Sequence, residues 1–231
     1  MEPSRKQWKV SPSKLETFRK FINGLYNNYI TQESFIKTVK REAEWTPQAT
    51  IGSAYHAVIE LGSEPFRTDQ KGLYYVKVDD MPEGVYFTAD QLTHALKFRE
   101  RYQGMSFETW SRYYTDYRGQ PVQVLMRLDG IYGLEVHEQK TTRGYYDFKS
   151  YYDSTQWRFY LLASGGHRVQ YNVFQALDAD TRDIRQSRDI RFEYDHFSLY
   201  PYPGMKHDID RWLLHYFDAC QDLGLTEYVY K

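Results

Sequence analysis

Apolar and polar positions alternate with two distinct periods along this chain, and the change of period marks the elements. Residues 122 to 129 alternate with a period of two: Val122, Val124, Met126 and Leu128 fall on one side, Gln123, Leu125, Arg127 and Asp129 on the other. That is the signature of a half-buried strand with Asp129 on its more polar face. After the turn around Gly130 to Gly133, Leu134 to Thr142 reads as a second strand on which Glu138 and Lys140 share a face and the Gln139 side chain points away. A hairpin centred on Gly133 and Leu134 sets Asp129 directly across from Glu138. Phe107 to Tyr117, turned by Arg118, Gly119 and Gln120, precedes them as a third strand of the meander, while Val169 to Leu177 and Ile190 to Tyr200 alternate as two more.

Helical spacing occupies the rest. Leu15, Phe18, Phe21, Ile22 and Leu25 predict an amphipathic helix within 11 to 26, with Ser13 and Glu16 in capping-box spacing. Thr46, Pro47 and Gly62 bracket a second helix as N-cap, first turn and stop; on it Gly52, His56 and Glu60 recur every four residues and share a face. Thr88 and Gln91 cap a helix over Ala89 to Gln103. Ser154 or Asp153 caps the helix TQWRFYLLAS, with Gln156 and Tyr160 one turn apart, and a final helix surrounds Ile209 to Leu223. The stretch 71 to 83 reads as a loop or short hairpin, and GYYDFKSYYDS, 144 to 154, as an aromatic loop that either contacts a strand of substrate or simply packs.

Two carboxylates facing each other on a hairpin repel unless a cation or a shared proton relieves them. Asp129 and Glu138, with a backbone carbonyl and waters, suit a hard ion such as Mg²⁺ or Mn²⁺, and Lys140 beside them can orient an attacking water. Taken alone, the same residues also fit a surface hairpin with an ordinary charge cluster, and His56 also fits a helix histidine satisfied by a core carbonyl.

Composition narrows the class. The 231 residues fit one domain and can bury a sizeable core. With 26% charged residues and a formal net charge of -1, the chain is no polycation, so any nucleic-acid surface is a local patch. Its 23 tyrosines suit stacking on unpaired bases as well as ordinary cores. No apolar run approaches membrane-spanning length, which leaves a cytoplasmic location as the default expectation. The single cysteine, Cys220, excludes an internal disulfide and an all-cysteine metal site. The arginines at 182, 185, 188 and 191, interleaved with aspartates, read as a solvated turn rather than a phosphate-binding stripe.

The succession Asp129, spacer, Glu138-Gln139-Lys140, followed by Thr141 and Thr142, resembles the PD-(D/E)XK nuclease superfamily, and within it the RecB-like exonuclease branch. Three flanking elements agree in order: Ser11, Ser13 and Leu15 resemble the branch's Ser-x-Ser-x-Leu entry, Gly52 and His56 its Gly-x-x-x-His helix, and Gln156 and Tyr160 its Gln-x-x-x-Tyr helix. The resemblance covers Ser11 to about Leu223 and implies an α/β, restriction-endonuclease-like mixed sheet flanked by helices, one domain with a helical part at about 11–103 and a catalytic sheet core at about 105–223. It implies an Mg²⁺- or Mn²⁺-dependent DNA exonuclease acting in repair, recombination or phage-type processing. His56, Asp129, Glu138 and the Gln139 carbonyl would hold one or two ions, Lys140 would position the nucleophile, Gln156 and Tyr160 would face substrate, and Glu60 is a weaker ligand candidate. The partner would be DNA with free ends, single strands included; a homo-oligomer or a recombination partner protein stays open. The alternative is a non-catalytic nucleic-acid-binding or partner-binding module on the same fold.

The chain departs from the iron-sulfur members of that branch, which need four cysteines. The purified protein is expected to be colourless and to fold without iron; stoichiometric iron with visible charge-transfer absorption would contradict this.

Overall fold

The computed structural model describes residues 7–24, 30–42, 44–68, 72–78, 81–178 and 188–230. Its centre is a mixed six-stranded sheet. Strand β4 (Ser106–Tyr117) turns through Arg118 and Gly119 into β5 (Gln120–Tyr132), and β5 turns through Gly133 and Leu134 into β6 (Glu135–Arg143). Arg118 and Gly119 both adopt positive φ, 51° and 77°, the conformation a two-residue hairpin turn requires. Strand β7 (Arg168–Leu177) lies parallel to β6, and β8 (Arg191–Leu199) closes that edge antiparallel to β7. A short N-terminal strand, β1 (Trp8–Val10), runs parallel to β5 at Val122–Val124; nothing in its three residues signalled it beforehand.

Helices cover the two faces with separate apolar clusters. On one face Val122, Val124, Met126, Leu128, Val136, Tyr171 and Val173 pack against α1 (Pro12–Ile22), α2 (Gln32–Lys40), α6 (Gln156–Ser164), α7 (Met205–Asp222) and α8 (Thr226–Val229). On the other, Phe174, Ala176 and Phe192 pack against α3 (Pro47–Leu61), α4 (Ala89–Arg101) and the hairpin of β2 (Leu73–Val76) and β3 (Val85–Thr88). Tyr55 of α3 stacks on Phe192 with ring centroids 4.2 Å apart and ties this cluster together. Cys220 is buried on α7, as packing. Among the described residues no helix is long and apolar enough to cross a membrane.

Several expected boundaries hold for the expected reasons. Thr46 accepts from the Ala49 amide at 3.2 Å, Pro47 opens α3, and Gly62 ends it at φ 83°. Thr88 and Gln91 form a complete capping box on α4. Other readings need correction. Helix α1 begins with Ser11 as N-cap and no side-chain capping bond; Ser13 lies inside it, and Glu16 is engaged with Arg19 rather than with a cap. Leu25 lies outside the described residues. Residues 148 to 152 form a short helix, α5 (Phe148–Tyr152), where a loop was expected, because Asp147 caps the Lys149 amide at 3.0 Å. Helix α2 was not anticipated; Thr31 caps it, and it buries only Phe35 and Val39. Of the arginine stripe, 182 and 185 fall outside the described residues, Arg191 pairs with Asp178 and Glu193, and Arg188 lies over the Tyr86 ring, as in a solvated turn.

The α4 capping box offers a direct test. Thr88→Ala removes the acceptor for the Gln91 amide and is expected to lower stability by about 1 kcal/mol in chemical denaturation. No change would mean that tertiary packing alone sets this helix start.

Candidate active site

The central hairpin has the expected register over only three pairs. Tyr132 faces Glu135, Ile131 faces Val136 and Gly130 faces His137, and there the ladder ends. Beyond it β6 leaves β5 and continues beside β7, so Asp129 and Glu138 are not a cross-strand pair: Glu138 faces Tyr171 of β7. A fork opens between β5 and β6, and Asp129 bridges it. Its Oδ2 accepts from the Gln139 amide at 2.8 Å, in place of the missing ladder bond.

A local irregularity aims Asp129 into this fork. Strands β4 and β5 keep one register throughout, but the pair Glu108 and Asp129 makes no ladder contact, and Glu108 sits at φ 52°. Leu128 packs in the first apolar cluster, whereas Gly130, two residues on, faces Met105 and His137 on the opposite side. A regular strand would place both on one face. The alternation slips by one at Asp129, and such departures from the ladder re-aim side chains beside active sites. A left-handed non-glycine residue is costly and is retained where surrounding structure enforces it.

The acidic and basic groups then meet under burial. Glu138 is 1% exposed, which excludes the reading of an ordinary surface charge cluster. Its Oε1 pairs with the Lys140 ammonium, while its Oε2 has no hydrogen-bond partner. Burial, and Asp129 beside it, push its carboxyl up to about 7. Burial likewise raises Asp129, partly offset by Lys140 and by the Gln139 amide. Burial by itself would lower Lys140, but Glu138 and Asp129 more than reverse this and hold it above the usual lysine range. Lys140 is therefore a fixed cation at neutral pH. It also donates to Gln156 Oε1 at 3.2 Å, and Gln156 in turn donates to the Tyr160 hydroxyl, so the Gln-x-x-x-Tyr pair on α6 anchors the lysine.

From the opposite face, α3 contributes His56. Its Nε2 is buried without a partner, against the reading of a histidine satisfied by a core carbonyl, and burial together with the Lys140 charge lowers it to about 4. It is a neutral imidazole with an unused nitrogen in the field of Lys140 and Glu138. Helix α3 packs closely enough on β6 that a Cβ at Gly52 would lie 3.6 Å from Thr141. The Gln139 side chain points away from the acids and is buried, its amide nitrogen unpartnered.

Glu108 belongs to the site and was not foreseen. Opposite Asp129, it pairs with Arg127, and burial raises its carboxyl while the charges of Glu60 and Glu138 add to the rise. The signal was present: a two-residue turn at Arg118 and Gly119 dictates a register that puts Glu108 across from Asp129. The charge of Glu60 reaches Glu108, and its backbone carbonyl is held by Arg99.

The donor types suit a hard divalent cation: carboxylate oxygens of Asp129 and Glu138, one of them unpartnered, and the free Nε2 of His56. They are not gathered into a chelate. Among the described residues no three His, Cys, Asp or Glu side chains stand together as a metal site. Lys140 supplies the positive charge that the two acids require.

No protein-family model matches the chain, and no curated protein does. Six chains of solved structures match. One, named SSO0001, is 12% identical with a TM-score of 0.53, over 92% of this chain and 76% of its own. Another, from Eubacterium rectale and named "Putative exonuclease", is 10% identical with a TM-score of 0.49, over 91% and 79%. The chain shares with SSO0001 a mixed α/β fold over nearly its whole length. At that identity the likeness speaks to fold and not to chemistry.

The raised carboxyl generates a prediction. Between about 4.5 and 7 the folded protein keeps a proton on Glu138 that the unfolded chain has lost, so this group's stabilisation is complete below about 4.5 and is lost as pH rises through 7. Glu138→Gln abolishes that titration. The variant is expected to gain on the wild type as pH rises across this window, by on the order of 3 kcal/mol, and to level off above it. Denaturation of both proteins in EDTA from pH 4 to 8 measures the difference, in which the opposite trend of His137, whose shift Glu138 does not influence, cancels. A difference independent of pH would assign Glu138 an ordinary carboxyl.

Proposed function

We propose that the chain is a metal-dependent deoxyribonuclease of PD-(D/E)XK, RecB-like type that hydrolyses DNA from free ends. The observation that carries this reading is the fork itself: where β6 leaves β5, a half-buried Asp129 and a buried Glu138 stand beside the fixed ammonium of Lys140, whose field and that of Glu138 also reach the unpartnered His56 nitrogen. Both carboxyls stay raised despite Lys140, and a bound cation would relieve them further.

Asp129, Glu138, His56 and the Gln139 carbonyl would hold Mg²⁺ or Mn²⁺. When bound, the ion acidifies a water and neutralises charge developing on the phosphoryl oxygens. Glu138 can serve both partners, because Lys140 takes one oxygen and the other is unpartnered. Lys140, held cationic, acts as a hydrogen-bond donor and fixed charge that positions the nucleophile rather than as a general base. Gln156 and Tyr160 keep its ammonium in place. His56, kept neutral, is competent as a ligand at physiological pH.

Linear DNA is expected to shorten progressively in Mg²⁺ or Mn²⁺ and to persist in EDTA, while covalently closed circles persist throughout. Lys140→Ala should lower the single-turnover rate roughly 10²- to 10³-fold, the effect of losing about 3 to 4 kcal/mol of positioning and electrostatics, with metal binding retained. Asp129→Asn should lose metal affinity and cleavage together. Discrete fragments from a closed circle would refute end dependence, and no cleavage by the wild type in any metal would favour a non-catalytic binding module.

A further inference from the structure

Strand β4 has one occupied edge and one free edge. Among the described residues it pairs with β5 alone, and no other element hydrogen-bonds to its backbone. Past the irregularity at Glu108, Thr109 to Tyr117 follow β5 without a break, so the outer edge of this run is regular. A free regular edge is a template for another strand, and chains that stay apart blunt it with a lysine, a proline or a bulge. No lysine or proline lies between Thr109 and Tyr117, and the irregularity precedes the run.

One face of the run is also uncovered. Trp110, Arg112, Tyr114 and Asp116 share it by the two-residue period, and none of them belongs to either apolar cluster. Trp110 is 64% exposed and Tyr114 60%. Arg112 forms no ion pair among the described residues, and Asp116 accepts there from the Gly119 amide at 3.3 Å. These two rings and two opposite charges are self-complementary. Laid antiparallel about a two-fold axis at Tyr113, the middle of the run, a second β4 sets Trp110 opposite Asp116, Ser111 opposite Thr115 and Arg112 opposite Tyr114 of the other copy. No like charges are directly opposed. Diagonal neighbours in such a pair stand about 7 Å apart, within reach of long side chains. Arg112 therefore meets Asp116 of the second copy, and Trp110 meets its Tyr114. The two Arg112 side chains are also diagonal to each other, each flanked by a tyrosine ring and by the acid that offsets its charge.

We propose that the free edge of β4 is a self-association surface, on which a second copy of this chain adds its own β4 to make one continuous sheet across a two-fold axis. The backbone groups of the edge supply the hydrogen bonds, and the alternating rings and charges supply the register. The inference stands apart from the nuclease reading. The fork opens on the far side of β5, where β1 and β6 lie, so association leaves the candidate active site uncovered. A contact of one short strand a side falls below the roughly 20 to 30 residues a side of a standard interface, and the expected dimer is reversible, with Kd on the order of 10 µM.

The test is sedimentation equilibrium of the full chain, freed of nucleic acid, from about 1 to 200 µM, a range that brackets this Kd. The wild-type mass is expected to rise from one chain to two. Arg112→Glu and Asp116→Arg each place like charges on the diagonal and should each weaken association at least about tenfold. An equimolar mixture of the two variants restores opposite charges at both diagonals, and it should dimerise within about threefold of wild type. Trp110→Ser should weaken association at least about fivefold, and it decides the matter if a charge reversal does not fold. A wild type monomeric throughout, a dimer indifferent to all three substitutions, no recovery when the two folded charge variants are mixed, or a dimer that forms only with nucleic acid present would each overturn the assignment.

Discussion

Two carboxylates and one ammonium, gathered at the fork of the central sheet with Glu138 buried and the other two half-buried, set the conditions that the surrounding structure has to meet. Glu138 is almost wholly inaccessible and Asp129 lies beside it, so burial and the neighbouring acid together raise the cost of ionising Glu138. Lys140 offsets that cost only because it is held close, and what holds it is Gln156, braced by Tyr160 one turn along α6. The crossover helix between two parallel strands thus also positions the charge on the first of them.

The departure of β6 from β5 makes this arrangement possible. Had the hairpin continued past Gly130 and His137, its backbone would have been consumed in ladder bonds and the two acids would have stood on a closed sheet surface. Instead the Gln139 amide is satisfied by the Asp129 carboxylate, and the remaining edge of β6 finds β7. The gap is reached from both faces. Helix α1 approaches from one side with Glu16 and Lys20, and α3 from the other with His56 and Glu60. Small side chains permit the second approach, since Gly52 lies against Thr141.

One of the left-handed non-glycine residues falls at the same place. Glu108 holds a left-handed backbone directly opposite Asp129, and the two strands change their facing there together. That slip lets the β4–β5 ribbon bury Val122, Val124, Met126 and Leu128 on the α7 side and still present Gly130 to His137 on the other. An uninterrupted ribbon would have sent Asp129 onto its exposed face, away from Glu138.

What the sequence determined by itself were the features with short-range causes. The period-two runs of β5 and β7, the Thr46–Pro47 and Thr88–Gln91 helix starts, the Gly62 stop and the shared face of Glu138 and Lys140 all follow from bond geometry and hydrogen bonding within a few residues. Even the hairpin register followed from its turn. Only the tertiary structure decided where that hairpin stops and which strand receives Glu138. Those outcomes depend on partners distant along the chain: β7 competes with β5 for the edge of β6, and α6 arrives with the residues that restrain Lys140. Local periodicity states which face a side chain takes along its own strand, but the neighbour across that face is chosen by the packing of the whole sheet.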